Sequence, residues 1–269
     1  MIVFPNCKIN LGLHILRRRA DGFHDLETVF YPVPVNDALE ALSPGQLQFS
    51  SSGIAIPGEV TDNLCLKAWH LLKRDFPELP AVNIHLHKHI PIGAGLGGGS
   101  ADAAFMLQLL NDKFRLALSA EKLVYYAAQL GSDCAFFIRN RPCYATGRGE
   151  VLEPIAADLS GYSLLLVYPG IHVNTGWAFR QITPAVPARQ LRESILQPVN
   201  EWKTLITNDF EAPVFRAHPV LGAIKEKLYE AGAVYATMSG SGSAMVGIFP
   251  KNKITGIVWD AGYRVFEMI

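Results

Sequence analysis

The chain has 269 residues, 49% hydrophobic and 18% charged, so it can bury a sizeable core and lacks the composition of a disordered protein. Lysine plus arginine equals aspartate plus glutamate at 24 each, which leaves no net charge to attract nucleic acid or an anionic membrane. The 4 cysteines contain no CxxC pair, which predicts reduced thiols. No apolar run approaches the roughly 20 residues of a membrane span, and no signal peptide is recognisable, so a cytoplasmic protein is expected.

The spacing of apolar residues divides the chain into helices and strands in irregular alternation, without an internal repeat. Helices are predicted over residues 62–74, 101–111, 119–130 and 218–231. Strands are predicted over residues 82–90, 163–168 and 233–238. Glycines and prolines in residues 139–150 indicate a junction, which favours two α+β domains over residues 1–155 and 156–269.

Polar residues mark the predicted starts of the first two helices, and one lysine lies on an otherwise apolar strand face. Asp62 or Asn63 is predicted to cap the first helix, and Ser100 is predicted to begin the second. Lys88 interrupts the apolar face of the strand over 82–90. Either an inward-pointing side chain or snorkelling of the side chain explains this lysine.

A run of glycines lies between that strand and the helix that begins at Ser100. The segment Pro91-Ile-Gly-Ala-Gly-Leu-Gly-Gly-Gly-Ser-Ala101 has five glycines within seven residues. A turn needs only one or two, and each additional glycine increases the entropy lost on folding. Amides without an obstructing Cβ can converge on an anion, and the helix N-terminus adds partial positive charge. The segment therefore predicts a phosphate-binding loop, although it has neither the Walker A ending nor the second strand of a Rossmann unit.

Three segments in this order resemble the motifs of the GHMP kinases. The glycine segment with the following Asp-Ala-Ala resembles the ATP-phosphate-binding second motif, in the form found in the methylerythritol-kinase branch. Residues 5–13, Pro-Asn-Cys-Lys-Ile-Asn-Leu-Gly-Leu, resemble the first motif, and residues 238–244, Met-Ser-Gly-Ser-Gly-Ser-Ala, resemble the third. The resemblance implies that ATP is bound by Pro91, Ile92, Gly93, Ala94, Gly95, Leu96, Gly97, Gly98, Gly99, Ser100 and Ala101, with Asn63 and Lys88 on the adenine side.

The same resemblance implies a fold and a reaction class. The expected α+β fold has an N-terminal ribosomal-protein-like domain, a C-terminal ferredoxin-like domain and a catalytic cleft between them. The expected reaction is transfer of the γ-phosphoryl group of ATP to an alcohol. The protein is expected to be a monomer or weak homodimer, with no nucleic-acid or membrane partner.

The segment Arg17-Arg-Arg-Ala-Asp-Gly-Phe-His-Asp-Leu26 bears on the acceptor. It is similar to the Arg-x-Asp-Gly-Tyr-His segment of the diphosphocytidyl-methylerythritol kinases. An aromatic ring beside a histidine suits a flat, hydrogen-bonding base, although a plain Asp-Gly turn also explains the segment. Phe23 stands where the family usually has tyrosine, so it keeps the stacking face and lacks the hydroxyl.

The acceptor implied by this resemblance is 4-diphosphocytidyl-2-C-methyl-D-erythritol, phosphorylated on its 2-hydroxyl in the non-mevalonate route to isoprenoid precursors. Thr175, in Val173-Asn-Thr-Gly-Trp-Ala-Phe179, resembles a family segment beside the acceptor, and a helix N-cap explains it equally well. The implied acceptor-binding residues are Asn10, Phe23, His24 and Thr175.

The segment Gly131-Ser-Asp-Cys-Ala-Phe-Phe137 resembles the family segment whose aspartate is taken as the catalytic base. The resemblance implies that role for Asp133 and brings Lys8 of the first motif near it. An ammonium there would favour the ionised carboxylate and hold the acceptor hydroxyl. A helix N-cap is the other explanation of Asp133, and a solvated terminal lysine is the other explanation of Lys8.

Magnesium is expected because the phosphates of ATP need a hard cation. The protein ligand of this ion is not assigned, since Gly98 and Gly99 stand where related kinases have a Ser-Ser pair. The strand over 82–90 carries three histidines on its other face, which is interpreted as solvent-exposed rather than as a transition-metal site: His85, His87 and His89.

Two other functions stay open at this point. Another GHMP kinase, acting on homoserine, a mevalonate derivative or a sugar, is disfavoured by the triple glycine and by the Asp-Gly-Phe-His segment. A nucleotide-binding pseudokinase is disfavoured by the presence of both Lys8 and Asp133.

Overall fold

The computed structural model describes residues 1–43, 45–254 and 256–268. Its internal contacts divide the chain into two compact units, each discontinuous in sequence. The first unit comprises Met1–Lys8, Pro32–Ile92 and Gly97–Arg141, and the second comprises Ile9–Tyr31, Gly93–Leu96 and Pro142–Ile269. Helices and strands are mixed along the chain, as the α+β prediction requires. The proposed domain division between residues 155 and 156 stays a prediction.

The elements are numbered in chain order. The strands are β1 (Ile2–Val3), β2 (Asn6–Arg18), β3 (His24–Asn36), β4 (Ala38–Leu42), β5 (Gln48–Gly53), β6 (Asn83–Lys88), β7 (Cys143–Thr146), β8 (Val151–Pro154), β9 (Tyr162–Tyr168), β10 (Tyr235–Met238), β11 (Met245–Pro250) and β12 (Arg264–Met268). The helices are α1 (Leu64–Asp75), α2 (Gly98–Phe114), α3 (Ala120–Leu130), α4 (Cys134–Arg139), α5 (Thr175–Arg180), α6 (Leu191–Ser194), α7 (Trp202–Leu205), α8 (Glu211–Ala217) and α9 (Pro219–Glu230).

The sheet of the first unit has the strand order β1-β4-β6-β5. Strand β6 pairs antiparallel with β4 and parallel with β5. Its residues alternate between buried and exposed, with Lys88 on the buried face and the histidines on the exposed face. The predicted alternation is confirmed, because successive side chains of a strand point to opposite faces.

Side-chain caps set the start of α1 and α3 in the first unit. Asn63 caps α1 by accepting a hydrogen bond from the Cys65 amide at 2.9 Å, which decides between the two predicted caps. Ser119 caps α3 by accepting from the Lys122 amide at 3.3 Å. Helix α2 has no such cap and begins at Gly98 rather than at Ser100, after Gly97 at φ 68°. A left-handed backbone conformation, which favours glycine, therefore precedes this helix.

Small and apolar side chains bury much of the surface of α2 within the first unit. Its buried apolar residues are Ala101, Ala103, Ala104, Met106, Leu107, Leu109 and Leu110. A helix that is apolar on most sides belongs in a protein interior. Consequently the glycine loop leads directly into a buried, rigid element.

The second unit contains a sheet of order β10-β11-β9-β12 and most of a sheet of order β2-β3-β7-β8. The unit boundaries fall within β2, after Lys8, and within β3, after Tyr31. Strands β9 and β10 are buried as predicted. A hydrophobic core joins them to α8 and α9 through Leu165, Val167, Ala236, Met238, Val214, Leu221, Ile224 and Leu228.

The four cysteines are buried and free, in agreement with the prediction of reduced thiols: Cys7, Cys65, Cys134 and Cys143. Among the described residues, no helix combines the length and the apolar character needed to cross a membrane.

Candidate active site

Lys8 and Asp133 form an ion pair in the first unit. The Lys8 Nζ lies 3.5 Å from the Asp133 Oδ2. The lysine side chain is only 5% exposed, whereas the carboxylate side chain is 33% exposed. A buried ammonium is favourable only beside a negative group, and a part-exposed carboxylate can still meet a ligand. The alternative explanation of Lys8, as a solvated terminal lysine, is therefore wrong.

Asp133 stands at the N-cap position of α4 but does not cap it. Its backbone is helical, at φ −80° and ψ −15°, and its side chain makes no capping hydrogen bond. A capping aspartate has an extended backbone and accepts from an amide in the first turn. The structure thus removes the capping explanation and leaves the carboxylate available for chemistry.

The stem of Lys8 packs against the end of the glycine loop. A Cβ atom built on Gly97 would lie 3.2 Å from both Cγ and Cε of Lys8, and 3.1 Å from Phe137 Cζ. Gly97 also has a positive φ, which side chains adopt rarely. Position 97 therefore needs glycine for two independent reasons, and one of them is the catalytic candidate Lys8.

Ser100 lies in the first turn of α2 and faces the start of α4. Its hydroxyl hydrogen-bonds the Cys134 thiol, and burial nevertheless raises the pKa of that thiol to about 11. A Cβ on Gly131 would lie 3.3 Å from the Cys134 Sγ and 3.9 Å from the Ser100 Oγ. Ser100 and Asp133 thus both carry side-chain oxygens of the kind that coordinate a hard cation. Ser100 lies at the start of α2, and Asp133 lies just before α4.

The positions of the loop are occupied by glycine for different physical reasons. Gly93, Gly95 and Gly97 have φ values of 67°, 79° and 68°, in the left-handed region that favours glycine. Gly98 is helical, but a Cβ there would meet Ile90 Cγ2 at 2.9 Å and Lys88 Nζ at 3.0 Å. At Gly99 a Cβ would meet only Leu64 Cδ1, at 4.0 Å. Gly99 is exposed, so the protein itself imposes no need for glycine at that position.

Lys88 belongs to a buried cluster with two carboxylates in the first unit. Its ammonium donates to Asp102 Oδ2 at 2.7 Å and also to Asp37 Oδ2. The side chains of the three residues are at most 4% exposed. Burial opposes the charged form of Lys88, but Asp102 and Asp37 outweigh it and raise its pKa. The Lys88 side chain therefore points inward, as one of the two explanations requires, and does not snorkel to the surface.

Asp102 differs from Asp37 in how fully its oxygens are bonded. Asp37 Oδ1 accepts from the His89 amide at 2.6 Å and from the Ile90 amide at 2.8 Å. Asp102 Oδ1 is buried without a hydrogen-bond partner among the described residues. Burial raises the pKa of Asp102 to about 7, since the nearby Asp37 adds to this effect and Lys88 only partly offsets it. Asp102 therefore keeps its proton to a higher pH than an ordinary aspartate does.

In the second unit, the middle of the glycine loop contacts the third motif, which in turn is bonded to the first motif. The Ser239 hydroxyl donates to the Gly95 carbonyl at 2.8 Å and accepts from the Asn10 amide at 3.2 Å. The Ala244 amide donates to the Ala94 carbonyl at 3.1 Å. A Cβ on Gly95 would lie 2.0 Å from the Ser239 carbonyl oxygen. Residues far apart in sequence thus meet at backbone distance, which requires glycine at position 95.

Asn208 holds the third motif in place. Its side-chain amide donates to the carbonyls of Met238 and Gly240, each at 2.8 Å, and its Oδ1 accepts from the Phe210 amide at 3.0 Å. The side chain is buried, so these bonds satisfy groups that water cannot reach. Asn10 is likewise buried, and it donates to Thr28 Oγ1 at 2.9 Å.

The two aromatic acceptor candidates lie in different surroundings. The Phe23 ring is 54% exposed, and the Arg148 guanidinium lies 5.0 Å from its centroid. The His24 ring stacks on Phe179, with centroids 4.9 Å apart and planes inclined by 18°. The Phe23 amide donates to Asp21 Oδ1 at 3.1 Å, so the Asp-Gly turn exists and orients these rings.

Thr175 is the first residue of α5, but Asn174 is the cap. The Asn174 Oδ1 accepts from the Trp177 amide at 2.8 Å. The Thr175 hydroxyl instead lies 2.9 Å from the Ser241 hydroxyl of the third motif. The capping explanation of Thr175 is therefore wrong, and its hydroxyl lies on an exposed surface beside the third motif.

Comparison with known proteins identifies the family of this chain. The family "GHMP kinases N terminal domain" matches residues 63–141, and "GHMP kinases C terminal" matches residues 190–258. The 4-diphosphocytidyl-2-C-methyl-D-erythritol kinase of Bacteroides fragilis is 54% identical over 268 residues, covering 98% of this chain and 97% of that protein. The chain belongs to the 4-diphosphocytidyl-2-C-methyl-D-erythritol kinase family, within the GHMP kinases.

Solved structures extend this family assignment to the fold. A crystal structure of 4-(cytidine 5'-diphospho)-2C-methyl-D-erythritol kinase matches with a TM-score of 0.76 and 32% identity, covering 92% of this chain and 90% of that one. A mevalonate kinase matches with a TM-score of 0.73 at 12% identity, over 99% of this chain and 98% of that one. The predicted GHMP fold is confirmed, and the protein is a small-molecule kinase.

Several residues of this 4-diphosphocytidyl-2-C-methyl-D-erythritol kinase family member received no individual role from the sequence: Asp37, Asp102, Arg148, Phe179, Asn208, Ser239 and Ser241. Of these, Ser239 and Ser241 were recognised only as part of the third motif. Asp102 carried a usable signal, because it is the one charged residue in the apolar stretch 101–111, which follows a strand with a lone lysine on its apolar face. The others make contacts over long sequence separations, which one sequence does not reveal.

Proposed function

We propose that this protein transfers the γ-phosphoryl group of ATP to the 2-hydroxyl of 4-diphosphocytidyl-2-C-methyl-D-erythritol. The observation that carries the proposal is the Lys8–Asp133 ion pair beside the last left-handed glycine of the loop. It occurs in a chain whose 54% identical relative bears the name of that kinase.

Asp133 would act as the general base. Its carboxylate is part-exposed and is not used as a helix cap, so it can accept the proton of the acceptor hydroxyl. The hydroxyl oxygen would then bond to the γ-phosphorus while the bond to the β,γ-bridging oxygen breaks and ADP leaves. The proton remains on Asp133 until it passes to solvent.

Lys8 would orient the acceptor hydroxyl beside Asp133, since its ammonium lies 3.5 Å from the Asp133 Oδ2. Its burial and its packing on Gly97 restrict the lysine side chain to one direction. A positioned cation beside the transferring group would also offset the negative charge that accumulates there.

The glycine loop would bind the phosphates of ATP. The first amides of α2 have no partners within the helix, and the aligned peptide dipoles make this end positive. The helix has 17 residues, so the end is well formed. Exposed Gly99 lacks any internal reason to be glycine, which suits close approach of a ligand. Asn63 and Lys88 would lie on the adenine side of the same bound ATP.

Magnesium would neutralise phosphate charge when bound with ATP. The oxygen donors of Ser100 and Asp133 fit a hard cation, with the nucleotide phosphates and water supplying the other ligands. The described residues contain no group of three or more His, Cys, Asp or Glu side chains arranged for a metal. This finding is compatible with a magnesium ion whose ligands come mainly from the nucleotide and water.

Asn10, Phe23, His24 and Thr175 would contact the acceptor in the second unit. An exposed ring and a stacked histidine next to it offer a surface for a flat base such as cytosine. Phe23 can stack but cannot donate a hydrogen bond. We further propose that the enzyme acts in the cytoplasm, as a monomer or weak homodimer.

A coupled assay of ADP release tests the function. The reaction contains ATP, Mg²⁺ and 4-diphosphocytidyl-2-C-methyl-D-erythritol, and parallel reactions contain homoserine, mevalonate or the acceptor without its cytidylyl group. We expect turnover of the cytidylylated acceptor alone. Turnover of another acceptor would replace the substrate assignment, and no turnover by a folded protein that binds ATP would favour a pseudokinase.

A further inference from the structure

The buried cluster of Lys88, Asp37 and Asp102 connects the segment that enters the glycine loop to the helix that leaves it. Asp37 Oδ1 accepts from the amides of His89 and Ile90, the two residues before Pro91. Asp102 follows the last loop residue and lies in α2. The ammonium of Lys88 donates to both carboxylates and so ties the two sides together.

The ammonium also lies directly against the first turn of α2. A Cβ atom on Gly98 would come within 3.0 Å of the Lys88 Nζ and within 2.9 Å of Ile90 Cγ2. No side chain fits between the ammonium and the helix backbone. A shift of Lys88 would therefore displace the first turn of α2, which carries Gly98, Gly99 and Ser100.

Stability alone is a poor explanation for such a cluster. Removing three ionisable groups from water costs free energy that their mutual attraction only partly repays, and apolar replacements are often as stable. With two carboxylates and one ammonium, the cluster also carries one negative group in excess. A charged cluster at the two ends of a ligand-binding loop fixes geometry more effectively than apolar contacts, because its hydrogen bonds are directional.

We propose that Lys88, Asp37 and Asp102 are positioning residues of the nucleotide site, which hold the two ends of the glycine loop in the geometry that binds phosphate before ATP arrives. This inference rests on the proposed binding of ATP by the loop. Lys88 acts on ATP binding indirectly, by fixing the loop, because its ammonium is held by Asp37 and Asp102. Preorganised amides lose less free energy on binding than amides that must first be ordered.

The test compares Asp102→Ala with Asp102→Asn. Asp102→Ala leaves a neutral Lys88–Asp37 pair, so the variant should fold, but it removes the tie to α2. Asp102→Asn retains an oxygen that accepts from Lys88. Lys225→Met in the second unit is the control, because it breaks a different part-buried ion pair, with Glu211, and neither residue belongs to the cluster. Lys88→Met is less useful, since it leaves two buried carboxylates without a cation.

Two quantities are measured for each variant. The first is the dissociation constant of ATP with Mg²⁺ by calorimetry in the absence of an acceptor, and the second is the KM of the acceptor. We expect Asp102→Ala to weaken ATP binding about tenfold or more, because small displacements of binding groups have large effects. Asp102→Asn should stay within about threefold of the parent, and the KM of the acceptor should change less than about twofold.

Three results would overturn the inference. One is unchanged ATP binding in Asp102→Ala, and another is failure of Asp102→Asn to restore it. The third is a loss of ATP affinity in Lys225→Met as large as that in Asp102→Ala at equal loss of thermal stability. If the parent binds ATP but does not phosphorylate the expected acceptor, the acceptor assignment fails, and this test is unaffected.

Discussion

The Nζ of Lys8 lies 3.5 Å from the Oδ2 of Asp133, although the two residues come from opposite ends of the first unit's sequence. The lysine is nearly buried and the aspartate is part-exposed. This asymmetry suits the roles proposed for them, because the cation is fixed by packing while the base can reach a substrate. It also shows which variants test the chemistry without disturbing the fold.

Asp133→Asn should lower kcat by about 10² to 10⁴, the usual contribution of a general base. Folding should be preserved, since the side chain does not cap α4. The measurement is steady-state ADP release, with thermal unfolding as a check on the fold. Glu153→Gln, which breaks an exposed ion pair with Arg192, is the control and should keep full activity. Activity of Asp133→Asn within about tenfold of the parent would remove the base assignment.

Lys8→Ala should also nearly abolish turnover. The substitution removes the cation that lies 3.5 Å from the Asp133 carboxylate, where it would orient the acceptor hydroxyl and offset negative charge on the transferring group. It also opens space against Gly97. Steady-state ADP release measures the effect, with thermal unfolding as a check on the fold. Turnover at the parent's rate by a folded Lys8→Ala variant would remove this role of Lys8.

Gly99→Ala separates ligand approach from backbone strain. The position has an ordinary helical backbone with open space around it, so alanine should maintain stability or raise it by about 0.4–1 kcal/mol. The dissociation constant of ATP should nevertheless rise about tenfold, because a methyl group would obstruct the phosphates. Gly161→Ala, at another open position without positive φ, is the matched control. Unchanged ATP binding in Gly99→Ala would show that no phosphate approaches this residue.

Asp102→Asn should change the pH dependence of stability. The pKa of Asp102 is raised from 3.8 to about 7, so between these values the folded state holds a proton that the unfolded state has lost. The contribution of Asp102 to the free energy of unfolding therefore falls as the pH rises through this interval and is constant above it. The side-chain amide of the Asp102→Asn variant does not titrate, and Lys88, Asp37 and Cys65 face the same site in both proteins.

Urea denaturation at pH values below, within and above that interval measures this effect. We expect the stability of Asp102→Asn relative to the parent to increase with pH across the interval and then to level off. A difference between the two proteins that does not vary with pH would contradict a raised pKa for Asp102.

Phe23→Ala should weaken binding of the acceptor and leave binding of ATP unaffected. Loss of one base-stacking surface is worth about 1–3 kcal/mol, which predicts a KM for the cytidylylated acceptor about tenfold higher or more. Tyr125→Ala removes an equally exposed aromatic ring on α3 and should have no effect. Phe23→Tyr tests the missing hydroxyl directly. A fall in the KM of the acceptor for Phe23→Tyr would mean that the phenol makes a contact that this chain lacks.

The sequence by itself determined the elements whose signals are local. Alternation along β6, the cap of α3 at Ser119 and the run of glycines before α2 all arise from neighbouring residues, because strand periodicity, capping and left-handed backbone are local properties. The ordered motifs were likewise sufficient for the family, since each is a short segment. Even the inward position of Lys88 could be inferred from the face that it interrupts.

Only the tertiary structure decided what these residues contact. It showed that Asp133 does not cap α4, that Asn174 rather than Thr175 caps α5, and that Lys88 is held by Asp37 and Asp102. It also distinguished the glycines required by φ or by close packing from Gly99, which neither requires. The reason is physical: whether a side chain is available for chemistry depends on which distant groups share its surroundings, and burial and hydrogen bonding across long sequence separations are absent from local patterns.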